Sequence, residues 1–244
     1  MPVAIPRKVD MTEQARLDGV AAAYDQDGFE GLMAHVSAER VASLARGRSC
    51  LEVGAAVGIT TGYLARAFDS VVVVEPAARY AALLRQRGFP NVTVLEVLVE
   101  DLDVTQTFDT IVMSHVLEHV LEPRRVIQAV TEFLADDGVV IAVVPNARSI
   151  HRQIGVAVGM IPELTSFTDL DVALGHRRVY DQGTLRADIE SAGLRVESLK
   201  GHFCKPLSNA QMQQLPIEVQ RAFLDLGDQL PVEFASELLV VCRR

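Results

Sequence analysis

Cysteine is scarce in this chain of 244 residues, which contains only Cys50, Cys204 and Cys242. An odd number of widely spaced cysteines does not make a disulfide framework, and the spacings match no metal-binding knuckle. Two of the three lie in strand-like apolar runs. We therefore expect buried free thiols.

Positive charge is also in short supply, since 23 Lys and Arg residues stand against 32 Asp and Glu residues, for a net charge of -9. A protein that binds the phosphate backbone of a nucleic acid needs a basic surface. No apolar run approaches the roughly 18 residues of a membrane span. The first ten residues, MPVAIPRKVD, lack the apolar core of a secretion signal. We expect a cytoplasmic protein that binds neither nucleic acid nor membrane.

Apolar, strand-like runs alternate with helical stretches through the middle of the sequence. The runs lie at 49–54, 70–76, 92–98, 108–115 and 139–146. They lack polar alternation, which is typical of strands buried on both faces, and helices of fitting length separate them. This alternation predicts an α/β fold with a doubly wound parallel sheet.

One domain, with four parts, accounts for the whole pattern. Residues 1–47 read as N-terminal helices, 48–146 as the alternating core, and 183–244 as the rest of the sheet. Residues 147–182 lack clear periodicity. Because an irregular segment of this length in a compact domain is usually functional, we predict a lid or substrate-binding insertion there.

The most informative motif is CLEVGAAVG at Cys50–Gly58, where a strand ends in a carboxylate and opens into small residues. Glycine tolerates positive φ and has no Cβ, so such a turn lets the backbone approach a nucleotide-like ligand. The dinucleotide fingerprint G-x-G-x-x-G fails because Ile59 stands at its third glycine. The frame E-x-G-x-G-x-G fits from Glu52, with Ala56 at the middle glycine.

That frame resembles the first motif of the class I S-adenosylmethionine-dependent methyltransferases. Glu75 ends the second strand, where an acid accepts both ribose hydroxyls in dinucleotide folds as well. Later segments that resemble the same family are VEDL (99–102), FDTIVMSHVLEHVLEP (108–123), FLADDGVVIAVVPN (133–146) and GHRRVYDQGTLRADIESAGL (175–194). The resemblance implies a Rossmann-like sheet of seven strands, mostly parallel with an antiparallel last strand. It also implies S-adenosylmethionine as cofactor.

Cofactor contacts are implied by the resemblance, residue by residue. The small residues of the turn give close approach, Glu75 binds ribose, and the segment after the third strand faces adenine. The implied cofactor-binding set is Tyr24, Glu52, Gly54, Ala56, Gly58, Glu75, Pro76, Val99, Glu100, Ser114 and His115. For Tyr24, simple helix packing is the alternative to closing over the cofactor.

Two histidines are the predicted catalytic residues. The sulfonium makes the methyl group electrophilic, so placement of the acceptor supplies most of the barrier reduction. A hydroxyl acceptor profits from a general base, and histidine has a suitable pKa, whereas an amine needs only to be bound neutral. We predict His115 and His119 for this role. The alternatives are a cofactor-wall position for His115 and a structural position for His119.

Substrate contacts are expected around the irregular segment, with solvated surface positions as the alternative. The predicted substrate-binding residues are Arg148, His176, Arg177 and Tyr180. His115, Glu118 and His119 would share one face of a helix. They resemble the acid/acid/His set of ubiquinone-biosynthesis O-methyltransferases, which is associated with magnesium. Because His115 replaces the first acid, we predict no metal site.

The resulting prediction is a methyltransferase that acts on a hydroxyl of a small polar metabolite, such as a sugar or natural-product intermediate. N-methylation of an amino sugar or an amino-acid-derived metabolite is the alternative. Two other classes remain open, an NAD-dependent oxidoreductase and a catalytically silent interaction protein with the same fold. If the protein forms an assembly, we expect a homodimer.

Overall fold

A seven-stranded sheet forms the centre of the computed structural model, which describes residues 28–244. The predicted helix nearest the N-terminus and Tyr24 lie outside the described residues. The strands are β1 (Ser49–Val53), β2 (Ser70–Val74), β3 (Val92–Leu95), β4 (Phe108–Ser114), β5 (Leu134–Pro145), β6 (Arg195–His202) and β7 (Glu237–Arg243).

The strand order is β3-β2-β1-β4-β5-β7-β6. Neighbouring strands from β3 to β5 pair in parallel, while β7 runs antiparallel to both β5 and β6. The predicted seven-stranded, mostly parallel sheet with an antiparallel last strand is confirmed. Apolar runs such as SVVVV in β2, whose four valines are buried, form strands because both faces of the sheet are covered.

Helices cover the sheet on both sides. They are α1 (Gly28–Ser43), α2 (Ile59–Ala67), α3 (Ala78–Arg87), α4 (Pro123–Glu132), α5 (Ile150–Ala157), α6 (Asp169–Ala173), α7 (Gln182–Ser191), α8 (Asn209–Met212) and α9 (Ile217–Leu226). Side chains of α1, α2 and α3 pack into one apolar cluster with the sheet, and those of α4 and α7 pack into the other. None of the helices in residues 28–244 is long and apolar enough to cross a membrane.

Two strand boundaries differ from the sequence prediction by three residues or more. The third strand ends at Leu95, because the chain turns there and forms a short 3-10 helix at Val99–Asp101. The fifth strand begins at Leu134, before the Asp-Asp-Gly turn, and its pairing with β4 shifts register between Phe108 and Thr110. The stretch between β6 and β7, which the sequence analysis assigned to the rest of the sheet, contains two α-helices.

The parallel strands determine where a site can form. Since β1, β2, β4 and β5 point the same way, their carboxyl ends meet at one edge of the sheet. Open α/β sheets bind ligands at this edge, next to the strand pair where the order reverses. In this chain that pair is β1 and β4.

Beneath this edge, Glu52 of β1 is a buried carboxyl group. Its side chain accepts a hydrogen bond from the Thr61 hydroxyl of α2 at 2.7 Å and is 1% exposed. Burial raises the pKa of Glu52 from 4.5 to about 8, against the opposing effect of the Thr61 bond. The group is therefore protonated in the folded chain at neutral pH.

Replacing Glu52 with glutamine should stabilise the protein increasingly as the pH rises. Between pH 4.5 and about 8 the folded chain holds a proton on Glu52 that the unfolded chain has lost. The wild-type protein therefore loses stability with rising pH, by up to about 1.4 kcal/mol per pH unit, and Glu52→Gln does not. Chemical unfolding of both proteins at several pH values measures the difference, and a difference that does not change with pH contradicts the prediction.

Candidate active site

The turn after β1 places backbone where a ligand can approach it. Gly54, Ala56 and Gly58 have φ angles of 70°, 47° and 81°, all in the left-handed region. A Cβ at Gly54 would lie 2.9 Å from the Val116 side chain, so that position requires glycine. An alanine in this region costs about 1 kcal/mol. Such strain persists where the surrounding structure enforces it.

Glu75, at the end of β2, enforces this conformation. One carboxylate oxygen accepts the backbone N–H groups of Ala55 and Ala56 at 3.0 and 2.9 Å, and the other accepts that of Ala77 at 2.9 Å. The residue is 4% exposed. Hydrogen bonds to a charged acceptor are stronger than neutral ones. The acid expected to bind ribose therefore also builds the turn.

A single cavity of about 600 Å³ extends from this turn across the carboxyl edge of the sheet. The structure brings most of the predicted cofactor residues to its wall. Those lining it are Gly54, Ala56, Glu75, Pro76, Val99, Glu100, Ser114 and His115. Two predicted residues do not line the cavity. Glu52 lies buried behind the turn, and Gly58, at the start of α2, faces the side chain of Leu84.

His115, directly after β4, lies between two carboxylates. Its Nδ1 is 3.2 Å from an oxygen of Glu118, and its Nε2 is 3.5 Å from an oxygen of Glu237. Burial alone would lower the pKa of His115, but Glu237 and Glu118 outweigh it and hold the pKa well above its ordinary value. His115 is thus a cation at neutral pH, and its φ of 56° is in the left-handed region. The triad carries a net charge of about -1.

Each carboxylate of this triad keeps one oxygen without a hydrogen-bond partner among the described residues. Glu118 is 1% exposed and Glu237 is 6% exposed. Buried polar atoms are nearly always hydrogen-bonded, so each of these two oxygens can accept a hydrogen bond from a bound ligand or a water molecule. Sequence analysis did not identify Glu237. The sequence does offer a signal for it, because Glu237 is an acid that directly precedes the apolar run LLVVC of this strand.

His176 comes from the irregular segment and reaches the same cavity. Its Nδ1 lies 2.8 Å from one carboxylate oxygen of Asp171, and the other oxygen accepts a hydrogen bond from Arg152 at 3.1 Å. Burial would raise the pKa of Asp171, but its bonds to His176, Thr168 and Arg152 lower it, so the group is ionised. The ring of His176 packs edge-on against that of His119, with centroids 4.8 Å apart. Both histidines line the cavity.

The other predicted substrate residues do not line the cavity. The side chain of Arg177 donates to the His119 carbonyl at 3.0 Å, and its backbone N–H donates to the Glu118 carbonyl at 2.8 Å. Tyr180 is 2% exposed and donates its hydroxyl to Asp188. Arg148 is exposed to solvent. The geometry therefore gives Arg177 and Tyr180 a packing role, because their polar atoms bond within the fold.

The far end of the cavity contains two polar residues that sequence analysis missed. Lys205 donates to Asn209 at 2.7 Å, and burial lowers the pKa of its ammonium group. Burial, followed by the charges of Lys205 and Arg152, lowers the pKa of His151 to about 3. His151 is therefore neutral, and its Nδ1 has no hydrogen-bond partner among the described residues. Neither residue belongs to a motif, so no local pattern pointed to them.

The metal set suggested by the resemblance does not form. It would require His115 to act as a ligand beside Glu118 and His119. Both ring nitrogens of His115 instead face carboxylates of the triad. A histidine must present a nitrogen without hydrogen to bind a metal, so His115 does not fit that position.

Comparison with known proteins places the chain in a family. The model of the methyltransferase domain family matches residues 24–199. Ubiquinone biosynthesis O-methyltransferase from Bos taurus is 26% identical over 177 residues, which are 66% of this chain and 45% of that protein. The chain thus matches less than half the length of that relative.

Solved structures share the fold at low sequence identity. N-methyltransferase NodS from Bradyrhizobium japonicum, in complex with S-adenosyl-L-homocysteine, superposes with a TM-score of 0.61 at 17% identity, over 95% of this chain and 97% of that one. The [4+2]-cyclase SpnF superposes with a TM-score of 0.63 at 14% identity, over 99% of both chains. Since the family model matches residues 24–199, which are most of the chain, this protein belongs to the methyltransferase domain family.

Proposed function

We propose that this enzyme transfers the methyl group of S-adenosylmethionine to a hydroxyl group of a small polar metabolite, with a sugar or natural-product intermediate as the acceptor class. The observation that carries the proposal is the single cavity. It joins the turn held by Glu75 to a second, polar end lined by His176, Lys205 and Glu237. A cofactor and an acceptor can therefore lie next to each other in one cavity, as in-line displacement requires.

The proposed cofactor position follows the wall of the cavity. Glu75 would accept the ribose hydroxyls, and Val99 and Glu100, which also line the cavity, would lie beside adenine. Ser114 and His115, at the end of β4, would contact the methionine part. This orientation directs the methyl group towards the polar end.

Proton removal is the remaining requirement when the acceptor is a hydroxyl. The triad of His115, Glu118 and Glu237 has two carboxylates and one imidazolium, so it can take up one proton. The oxygen of Glu237 that lacks a hydrogen-bond partner belongs to a residue of the cavity wall. We assign proton uptake to this triad, in which His115 holds Glu237 in place.

An amine acceptor, as in an amino sugar, is the second candidate. The net negative triad would attract an ammonium group, which must lose a proton before it can be methylated. The matched relative from Bos taurus is an O-methyltransferase, whereas NodS is an N-methyltransferase. We rank the hydroxyl first, because a hydroxyl must always lose its proton during the transfer, whereas an amine can also bind in its neutral form and then needs no base before the transfer.

Substituting Glu75 with alanine should weaken S-adenosylmethionine binding by at least about tenfold, since the turn and the ribose both lose a charged acceptor. The free energy of unfolding should also fall by about 1–3 kcal/mol. Isothermal titration calorimetry measures the first effect and urea unfolding the second. Glu39→Ala, at an exposed position of α1, is the matched control. Unchanged affinity of a folded Glu75→Ala protein contradicts the ribose assignment.

Substituting Glu237 with glutamine should lower kcat by about 100-fold while S-adenosylmethionine affinity stays within about twofold. The amide keeps the shape of the side chain but cannot take up a proton. Glu218→Gln, exposed on α9, serves as the control. A Glu237→Gln enzyme with normal kcat would show that the triad does not remove the proton.

The acceptor class is tested with paired compounds that differ only in carrying a hydroxyl or an amine at the same carbon. Sugars and amino sugars provide such pairs. Release of S-adenosylhomocysteine, together with a product heavier by one methylene, identifies turnover. We expect turnover with the hydroxyl compounds. Turnover confined to the amines, or none in a protein that binds the cofactor tightly, overturns the proposal.

A further inference from the structure

Glu118, His119 and His176 present three potential metal-ligand atoms at one place. The atoms all lie within 4.8 Å of one another. Ligand atoms held about 2.1 Å from one tetrahedral ion lie about 3.4 Å apart, so an inward shift of each atom by less than about 1 Å would bring these three into a coordination sphere. Two of them come from the loop after β4, and the third comes from the segment between β5 and α7.

The carboxylate of Glu118 has a free position for a cation. One oxygen bonds to His115 at 3.2 Å, while the other has no hydrogen-bond partner among the described residues. The residue is 1% exposed, so water does not compensate from outside. Leaving a buried acceptor unpaired is costly. A cation bound by this oxygen would remove that cost.

The imidazole of His176 is oriented as metal-bound imidazoles usually are. Asp171 is ionised and can only accept, so Nδ1 of His176 donates to it at 2.8 Å. Because this bond occupies Nδ1, Nε2 is the ring nitrogen that remains available for an ion. A carboxylate behind a ligating histidine fixes its tautomer and raises its basicity.

Two arginines hold the two halves of this cluster together. Arg177 donates to the carbonyls of Glu118 and His119, through its backbone and its side chain. The guanidinium of Arg178 donates to the carbonyls of Leu117, Val120 and Leu121 at 2.6, 2.5 and 2.9 Å. The loop and the segment that carries His176 are thus fixed against each other. Preorganised ligands bind an ion more tightly, because less conformational freedom is lost.

We propose that Glu118, His119 and His176 bind one divalent transition-metal ion, with zinc as the best fit. Two imidazoles and one carboxylate suit zinc or cobalt, whereas magnesium requires oxygen ligands. Three protein ligands leave a coordination position open, and His119 and His176 line the cavity. An ion there would bind the acceptor hydroxyl and lower its pKa, a role that rests on the proposed function. The binding itself does not depend on that function.

Cobalt titration of the tag-free chain tests the site, because bound Co²⁺ shows visible absorption bands that report its ligands. We expect one Co²⁺ per chain, displaced by equimolar Zn²⁺ and unaffected by millimolar Mg²⁺. His176→Gln and Glu118→Gln should each weaken binding by at least about tenfold. His35→Gln, which replaces an exposed histidine of α1, should bind as the wild type does.

Circular dichroism identifies any variant that fails to fold. If either His176→Gln or Glu118→Gln does not fold, the cobalt affinity of the other variant tests the proposal. Absence of cobalt bands in the wild-type chain overturns the proposal. So does wild-type affinity in a folded His176→Gln or Glu118→Gln protein, or displacement of the ion by magnesium. A chain that binds cobalt at these residues but methylates neither hydroxyl nor amine acceptors confirms the metal site and rejects the proposed function.

Discussion

The carboxylate of Glu75 is the interaction on which the cofactor end of this protein depends. It is buried, and it accepts the backbone N–H groups of Ala55, Ala56 and Ala77. Those bonds connect the end of β2 to the turn after β1 and hold Ala56 in the left-handed region. The backbone of the turn that lines the cavity keeps its conformation because the Glu75 side chain accepts these hydrogen bonds. In the proposed cofactor position the same carboxylate would accept the ribose hydroxyls, so stability and binding would depend on the same atoms.

At the other end of the cavity, pairs of histidines and carboxylates hold the side chains in place. There, His115 is held between Glu118 and Glu237, and His176 is held by Asp171. Each pair places a charged group in a buried position, which is stable only when opposite charges compensate. The shared fold does not decide what happens at this end, since the [4+2]-cyclase SpnF superposes over 99% of the chain. The acceptor chemistry must therefore be argued from these side chains.

Local pattern predicted the parallel sheet and most of the residues that line the cavity near the turn. The turn at Gly54 and the acid at Glu75 follow from spacing, because each depends on neighbours in sequence or on the edge where parallel strands end. The acceptor end was predicted poorly. Glu237 meets His115 only because β7 pairs with β5, and Arg177 turns its side chain to the His119 carbonyl instead of the cavity. Such contacts arise from tertiary packing, which no motif in one chain records.

Calorimetric titration of the purified chain with S-adenosylhomocysteine and, separately, with NAD⁺ tests the central claim most directly. Both ligands offer ribose hydroxyls to an acid such as Glu75, but only the first matches a turn in which Ile59 replaces the third glycine of the dinucleotide fingerprint. The structure predicts one S-adenosylhomocysteine per chain with micromolar or tighter affinity, and no measurable heat of binding with NAD⁺. Binding of NAD⁺ in preference to S-adenosylhomocysteine would contradict the account.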